Sequence, residues 1–180
     1  NVDEGLENYK IFETARSIQY FTDELSNWYV RRGRERYWGS EMTEDKAAAY
    51  TTLYTVLTTL AKICAPFVPF MTESMYLNLV PPFYKDAPES VHLCDFPTAD
   101  ESFIDLELEK GMATVLEIVA LGRAARNGSN IKNRQPLDRL YIASDRDIEL
   151  TPKLYGIARD ELNIKNFEIL RDASRFVNYK

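Results

Sequence analysis

The sequence predicts a mainly α protein: an antiparallel helical bundle carrying a small C-terminal β-α-β appendage. Three observations predict it. Apolar residues recur at alternating spacings of four and three over long stretches before residue 128, prolines and glycines punctuate those stretches, and after about Gln135 the texture changes to strand, helix, strand. The bundle is assigned to residues 1–134 and the α/β unit to residues 135–180.

From Glu4 to about Val30, Ile11, Ala15, Ile18, Thr22, Leu25 and Tyr29 mark one face of a long amphipathic helix. Two glycines within Arg31–Ser40 end it in an ordered loop. Thr43 is placed to cap a second helix, with Glu44 and Asp45 in its first turn, Tyr50, Leu53, Leu57, Leu60 and Cys64 on one face, and Ala49, Val56 and Ile63 on a second. Ala65-Pro66 stops it, because proline lacks an N–H and disfavours the helical region for the residue before it.

A shorter helix follows from Pro69, with Met71, Met75 and Leu79 facing inward, until Pro81-Pro82. Residues 81–102 hold four prolines and no sustained period, so they form a long connection anchored by Val91, Leu93 and Phe96. A helix beginning near Asp100 or Ser102 buries Leu108, Met112, Val115, Val119 and Gly122 and closes on Gly128 as a left-handed C-cap. Short loops favour antiparallel neighbours, and the longest loop allows a crossover. In the last unit Leu140 and Ile142 lie on a strand, Thr151-Pro152 opens a helix bearing Leu154, Ile157, Ala158 and Leu162, and Ile164–Leu170 is a second strand, parallel to the first. Residues 171–180 show no clear period.

With 180 residues, 45% of them hydrophobic, the chain has the apolar content for a real core, and no run approaches the roughly 18 apolar residues of a membrane span. Asn1–Gly5 lacks an initiator Met, a basic region and an apolar stretch, so it reads as neither signal peptide nor natural start, and the chain as a piece of a larger one. Two cysteines, Cys64 and Cys94, and one histidine, His92, give no disulfide framework and no four-ligand zinc site, which fits a reducing, cytoplasmic setting. No glycine-rich phosphate loop and no nucleophile-base constellation occurs, so no catalytic residue and no metal ligand is assigned.

A net charge of −6 excludes a protein whose whole surface attracts nucleic acid, so local patches decide. The densest patch is Asn27–Trp38, with four arginines and four aromatics in twelve residues, both tryptophans of the chain among them. Guanidinium groups grip phosphates bidentately, and indole and phenol rings give platforms for unpaired bases. The same residues also suit a helix end at which Trp28 and Tyr29 fill the core and the arginines pair with carboxylates. A second cluster, Arg123, Arg126, Lys132, Arg134 and Arg139, surrounds the turn Asn127–Asn130, suiting either a backbone phosphate or a solvated helix end.

Leu25–Trp38 (LSNWYVRRGRERYW) closely resembles the LSNWY-[IV]-RR-x-R-x-R-[FY]-W segment of isoleucyl-tRNA synthetases. Three further pieces stand in the family's order: Ala65–Glu73, Ser90–Leu93 and Ile131–Leu137. The resemblance covers about residues 4–170 and implies a helical bundle that holds the tRNA anticodon arm, followed by a small α/β junction. It places RNA contact on Arg31, Arg32, Arg34, Arg36 and Trp38, and on Lys132 and Arg134. The parent it implies is a monomeric cytoplasmic ligase of protein biosynthesis that joins isoleucine to its tRNA with ATP and Mg. The HIGH and KMSKS motifs of the nucleotide site are absent from this chain, so the resemblance puts the catalytic and editing domains upstream. The alternative from another class is a helical interaction domain docking an acidic protein partner through the arginines.

Overall fold

The computed structural model describes residues 2–171, which form two compact units, residues up to Ala99 and residues from Asp100 on. The last long helix packs on the α/β elements that follow it. Residues 172–180, read as lacking a clear period, lie outside the described residues.

The first unit opens with α1 (Val2–Glu7) and α2 (Ile11–Glu24), where a single helix was expected. Tyr9 breaks it in a left-handed conformation, φ 56°, with Lys10 N–H reaching the Gly5 carbonyl at 2.8 Å and Tyr9 N–H reaching Leu6 at 3.1 Å. This is the paired-bond closure usually built on glycine, and a tyrosine in that place gives no local signal. Ile11 is exposed and Ile18 and Leu25 are half-buried, so the expected α2 face is not a closed core. The buried residue of α2 is instead Thr14. Ile18 and Phe21 of α2 line an open groove of about 390 Å³, and Leu25 and Val30 just after it line another of about 430 Å³, against the later helices of this unit.

After a π-helical segment (Leu25–Val30) and α3 (Arg34–Trp38), α4 (Glu44–Cys64) begins as expected: the Thr43 hydroxyl accepts the Lys46 N–H at 3.2 Å. α5 (Pro69–Leu79) has proline in its first turn, but its buried positions are Thr72 and Tyr76, one residue out of phase with the expected Met71–Met75–Leu79 stripe. The shift follows from Tyr76, whose ring joins Ala61, Ala65 and Val91 in the core while its hydroxyl donates to the Pro88 carbonyl at 2.9 Å. Burial pushes that hydroxyl's pKa up to about 12.

Of the three expected anchors in the connection only Val91 is buried. Val91–Leu93 is a 3₁₀ turn, held because Glu73 accepts both the Val91 N–H at 2.9 Å and the Ser90 hydroxyl at 3.0 Å. That turn points Leu93 to solvent.

The second unit consists of α6 (Leu106–Gly128), β1 (Leu137–Ala143), α7 (Pro152–Leu162) and β2 (Ile164–Leu170). Asp105 caps α6 and Thr151 caps α7 through side-chain oxygens. The strands pair in parallel, Leu137 opposite Ile164 through Ala143 opposite Leu170, as the strand-helix-strand order requires. Val115, Val119 and Gly122 of α6 are buried, α6 packs on α7, and a Cβ on Gly122 would stand 2.7 Å from both Leu162 methyls. Burying side chains such as Val115 and Leu162 contributes about 1.5–3 kcal/mol each. Leu108, expected on this face, is exposed.

α6 does not end on a left-handed Gly128. Asn130 takes that conformation, φ 56°, and Ile131 N–H closes back on the Arg126 carbonyl at 2.8 Å. Asparagine tolerates the left-handed region nearly as well as glycine, so the helix can run two residues further than its glycine suggests.

Candidate nucleic-acid interface

The arginine segment is positioned by the π-helical turn before it and by the glycine within it. In Leu25–Val30 the hydrogen bonds span five residues, Arg31 N–H closing on the Ser26 carbonyl, which re-phases everything downstream relative to a continued α-helix. At Gly33 the chain leaves the helix, with its N–H on the Tyr29 carbonyl at 2.9 Å. A Cβ there would stand 2.9 Å from that carbonyl oxygen and 3.0 Å from the Tyr37 ring, so only glycine fits without backbone movement.

Beneath the segment lies an aromatic layer. Tyr37 meets Tyr50 edge to face, centroids 5.2 Å apart, and Tyr50 donates to the Tyr37 carbonyl at 3.4 Å. Burial, then the neighbouring Tyr29 hydroxyl, pushes the Tyr37 pKa up to about 12. Arg36 fastens α3 to α4: its Nε and Nη2 bind the Asp45 carboxylate at 2.7 and 2.8 Å, and Nη2 also reaches the Asp45 carbonyl at 3.1 Å. That pairing is the largest reason its pKa lies above the ordinary arginine value. Lys46 adds a bond from its ammonium to the Gly39 carbonyl.

The outward side is different. Trp38 is 76% exposed, and the Arg34 guanidinium lies 5.0 Å from its ring centroid. Among the described residues, Arg34 makes no ion pair. Arg31 lies 6.0 Å from the Trp28 ring and donates to the Asn27 carbonyl at 2.7 Å, while Arg32 is half-buried. The five expected residues of this segment thus stay together on one short stretch of chain. Within it, Arg34 and Trp38 form an exposed cation and ring pair, and Arg36 has its planar fork on a carboxylate.

In the second cluster, in the second unit, three of the five cations are engaged by the protein's own acceptors. Arg123 pairs with Glu161 at 2.5 Å, and Arg139 pairs with Glu168. Arg126 is 4% exposed and donates to four carbonyls: Lys132 at 3.1 Å, Gln135 at 3.0 Å, Leu162 at 2.6 Å and Asn163 at 3.2 Å. A buried guanidinium has five donors to satisfy, and main-chain carbonyls at two loop ends satisfy most of them. Lys132 and Arg134 remain exposed on the turn between α6 and β1. Sequence reasoning missed the role of Arg126, although a signal existed: Val115, Val119, Gly122 and Arg126 share one spacing, so Arg126 falls on the buried face.

Comparison with known proteins adds to this geometry. Residues 1–142 match the family model described as the anticodon-binding domain of tRNA ligase. This chain belongs to that family. The anticodon-binding domain is similar over 180 residues, at 55% identity and 99% of its own length, to the isoleucine–tRNA ligase of Clostridium novyi (strain NT). It is 52% identical over 181 residues, all of its length, to the isoleucine–tRNA ligase of Clostridium acetobutylicum. The isoleucine–tRNA ligase 2 of Bacillus cereus (strain ATCC 14579) is 41% identical over 177 residues, 98% of the chain. The domain spans 17% of the length of the two clostridial relatives and 16% of the Bacillus one.

Proposed function

We propose that this domain grips the anticodon arm of isoleucine tRNA as one part of a cytoplasmic, monomeric ligase that joins isoleucine to that tRNA with ATP. The single observation carrying the reading is the exposed Arg34–Trp38 pair in a segment otherwise fastened down by tyrosines and by Arg36. An unpaired base stacks on an exposed indole, and a guanidinium beside the ring reaches the adjoining phosphate. Arg31, Arg32, Arg34, Arg36 and Trp38 form this first contact region, and Lys132 and Arg134 form a second. The antiparallel bundle expected from the short loops belongs to the same proposal.

ATP and Mg belong to the remainder of the parent chain. No His, Cys, Asp and Glu side chains converge in a group of three among the described residues, and the sequence has no glycine-rich phosphate loop. No helix of the described residues is long and apolar enough to cross a membrane. The family match does not favour docking of an acidic protein partner.

A gel-shift titration with isoleucine tRNA tests the reading. The logarithm of affinity should fall against the logarithm of salt with a slope of about −0.7 per single-strand phosphate contacted. Trp38→Ala should weaken binding by about 1–3 kcal/mol with an unchanged melting temperature. Full-strength, salt-independent binding by Trp38→Ala and Arg34→Ala together would sink it.

A further inference from the structure

The turn between α6 and β1 is held from inside by two side chains. Among the described residues, Arg126 makes no ion pair with a carboxylate. It binds the carbonyls of Lys132 and Gln135, while the Asn163 side-chain amide donates to the carbonyls of Asn133 at 3.4 Å and Arg134 at 2.9 Å. All four consecutive carbonyls from residue 132 to residue 135 are therefore claimed by the protein, and their negative ends face Arg126 and Asn163. The main-chain N–H groups behave in the opposite way. Ile131 N–H goes to Arg126 and Gln135 N–H to Lys132, but among the described residues those of Lys132, Asn133 and Arg134 donate to no protein acceptor. The side chains of these same three residues are exposed.

Successive unclaimed N–H groups with their carbonyls withdrawn make an anion-binding concavity, and flanking cations deepen its potential. Asn163 can hold its post because it ends α7 in the left-handed conformation, φ 49°, and its own carbonyl accepts from both Arg126 and Leu137 N–H. The two clamps thus come from the C-terminal ends of α6 and α7 and meet at one turn.

We infer that Ile131–Pro136 is a preformed phosphodiester-binding loop, in which the amides of residues 132–134 and the Lys132 and Arg134 side chains take an RNA backbone phosphate, with Arg126 and Asn163 as positioning residues. This rests on the tRNA-binding reading above and extends it to residues that touch no RNA themselves.

The test is a double-mutant cycle on the 180-residue chain with isoleucine tRNA, read by gel shift beside thermal melts. Asn163→Gly removes the clamp yet keeps the left-handed backbone, which glycine adopts freely, so the fold is retained. It should lower affinity about threefold or more in the otherwise unmutated chain and have a smaller effect once Lys132→Ala and Arg134→Ala are both present, since only the loop amides then remain to take the phosphate. Arg126→Lys, which keeps the charge without the fork, should show the same dependence. If the unmutated chain fails to bind tRNA, the tRNA-binding reading falls and this inference with it. If the chain binds but Asn163→Gly binds equally well, or loses as much in the double-alanine background, or if the double-alanine chain itself binds at full strength, the loop inference alone is overturned.

Discussion

The two arginine clusters are of similar size in the sequence and opposite in construction. Around Trp38, the aromatic layer and the Arg36–Asp45 pair face inward and leave the Arg34 guanidinium beside an exposed indole. Around Asn130, Arg123 and Arg139 go to carboxylates and Arg126 to carbonyls, so the exposed cations without a carboxylate partner among the described residues are Lys132 and Arg134. What a basic cluster offers to a polyanion is thus set by the acceptors its own fold supplies, and counting arginines measures only the upper limit.

The strongest way to break this comparison is Arg126→Met. If Arg126 is structural, its loss strands the Gln135 and Leu162 carbonyls, takes one of two donors from those of Lys132 and Asn163, and should cost about 3 kcal/mol or more in urea-induced unfolding. A loss below about 1 kcal/mol would return Arg126 to the binding surface. In the first region Gly33→Ala should cost about 1–3 kcal/mol, because the added methyl meets the Tyr29 carbonyl, and circular-dichroism melts would register it.

Alkaline pH also separates the regions. The folded chain holds the Tyr37 proton up to about pH 12 against an ordinary 10.0, so the unfolded chain ionises first. Stability contributed by this group should be complete below pH 10 and disappear between 10 and 12, and Tyr37→Phe should flatten that part of a pH-stability curve. The smallest expected effect sharpens the comparison most. Arg36→Ala should lower stability by about 0.2–1 kcal/mol, as for exposed ion pairs, whereas Arg34→Ala should leave the melt unchanged and weaken tRNA binding. Equal behaviour of the two variants would erase the distinction between fastening and presented arginines.

Much of the fold was legible in the sequence because its signals are local. Thr43 and Thr151 cap where their hydroxyls stand ahead of acidic or proline-bearing first turns, and the strand-helix-strand unit follows from a change of period. The left-handed Tyr9 was not legible, since nothing in its side chain favours φ 56° and only the closure bonds around it hold the backbone there. The phase of α5 differs from the apolar stripe because Thr72 and Tyr76 are amphipathic: Thr72 hides its hydroxyl on the Val68 and Pro69 carbonyls, and Tyr76 finds a partner carbonyl twelve residues on. The site was legible as a segment and illegible as a division of labour: Asp45, Glu161 and the four carbonyls of Arg126 are chosen by tertiary placement, which spacing does not encode.

The widened turn at Leu25–Val30 makes the arginine display depend on residue count as well as residue type. Removing one residue there, such as Ser26, would let the ladder close with ordinary four-residue bonds and swing every later side chain by about 100°. The four arginines would survive unchanged in composition, charge and helical content, yet they would address a different direction. The segment is a coupling between α2 and the arginines after it, and its setting is one residue long.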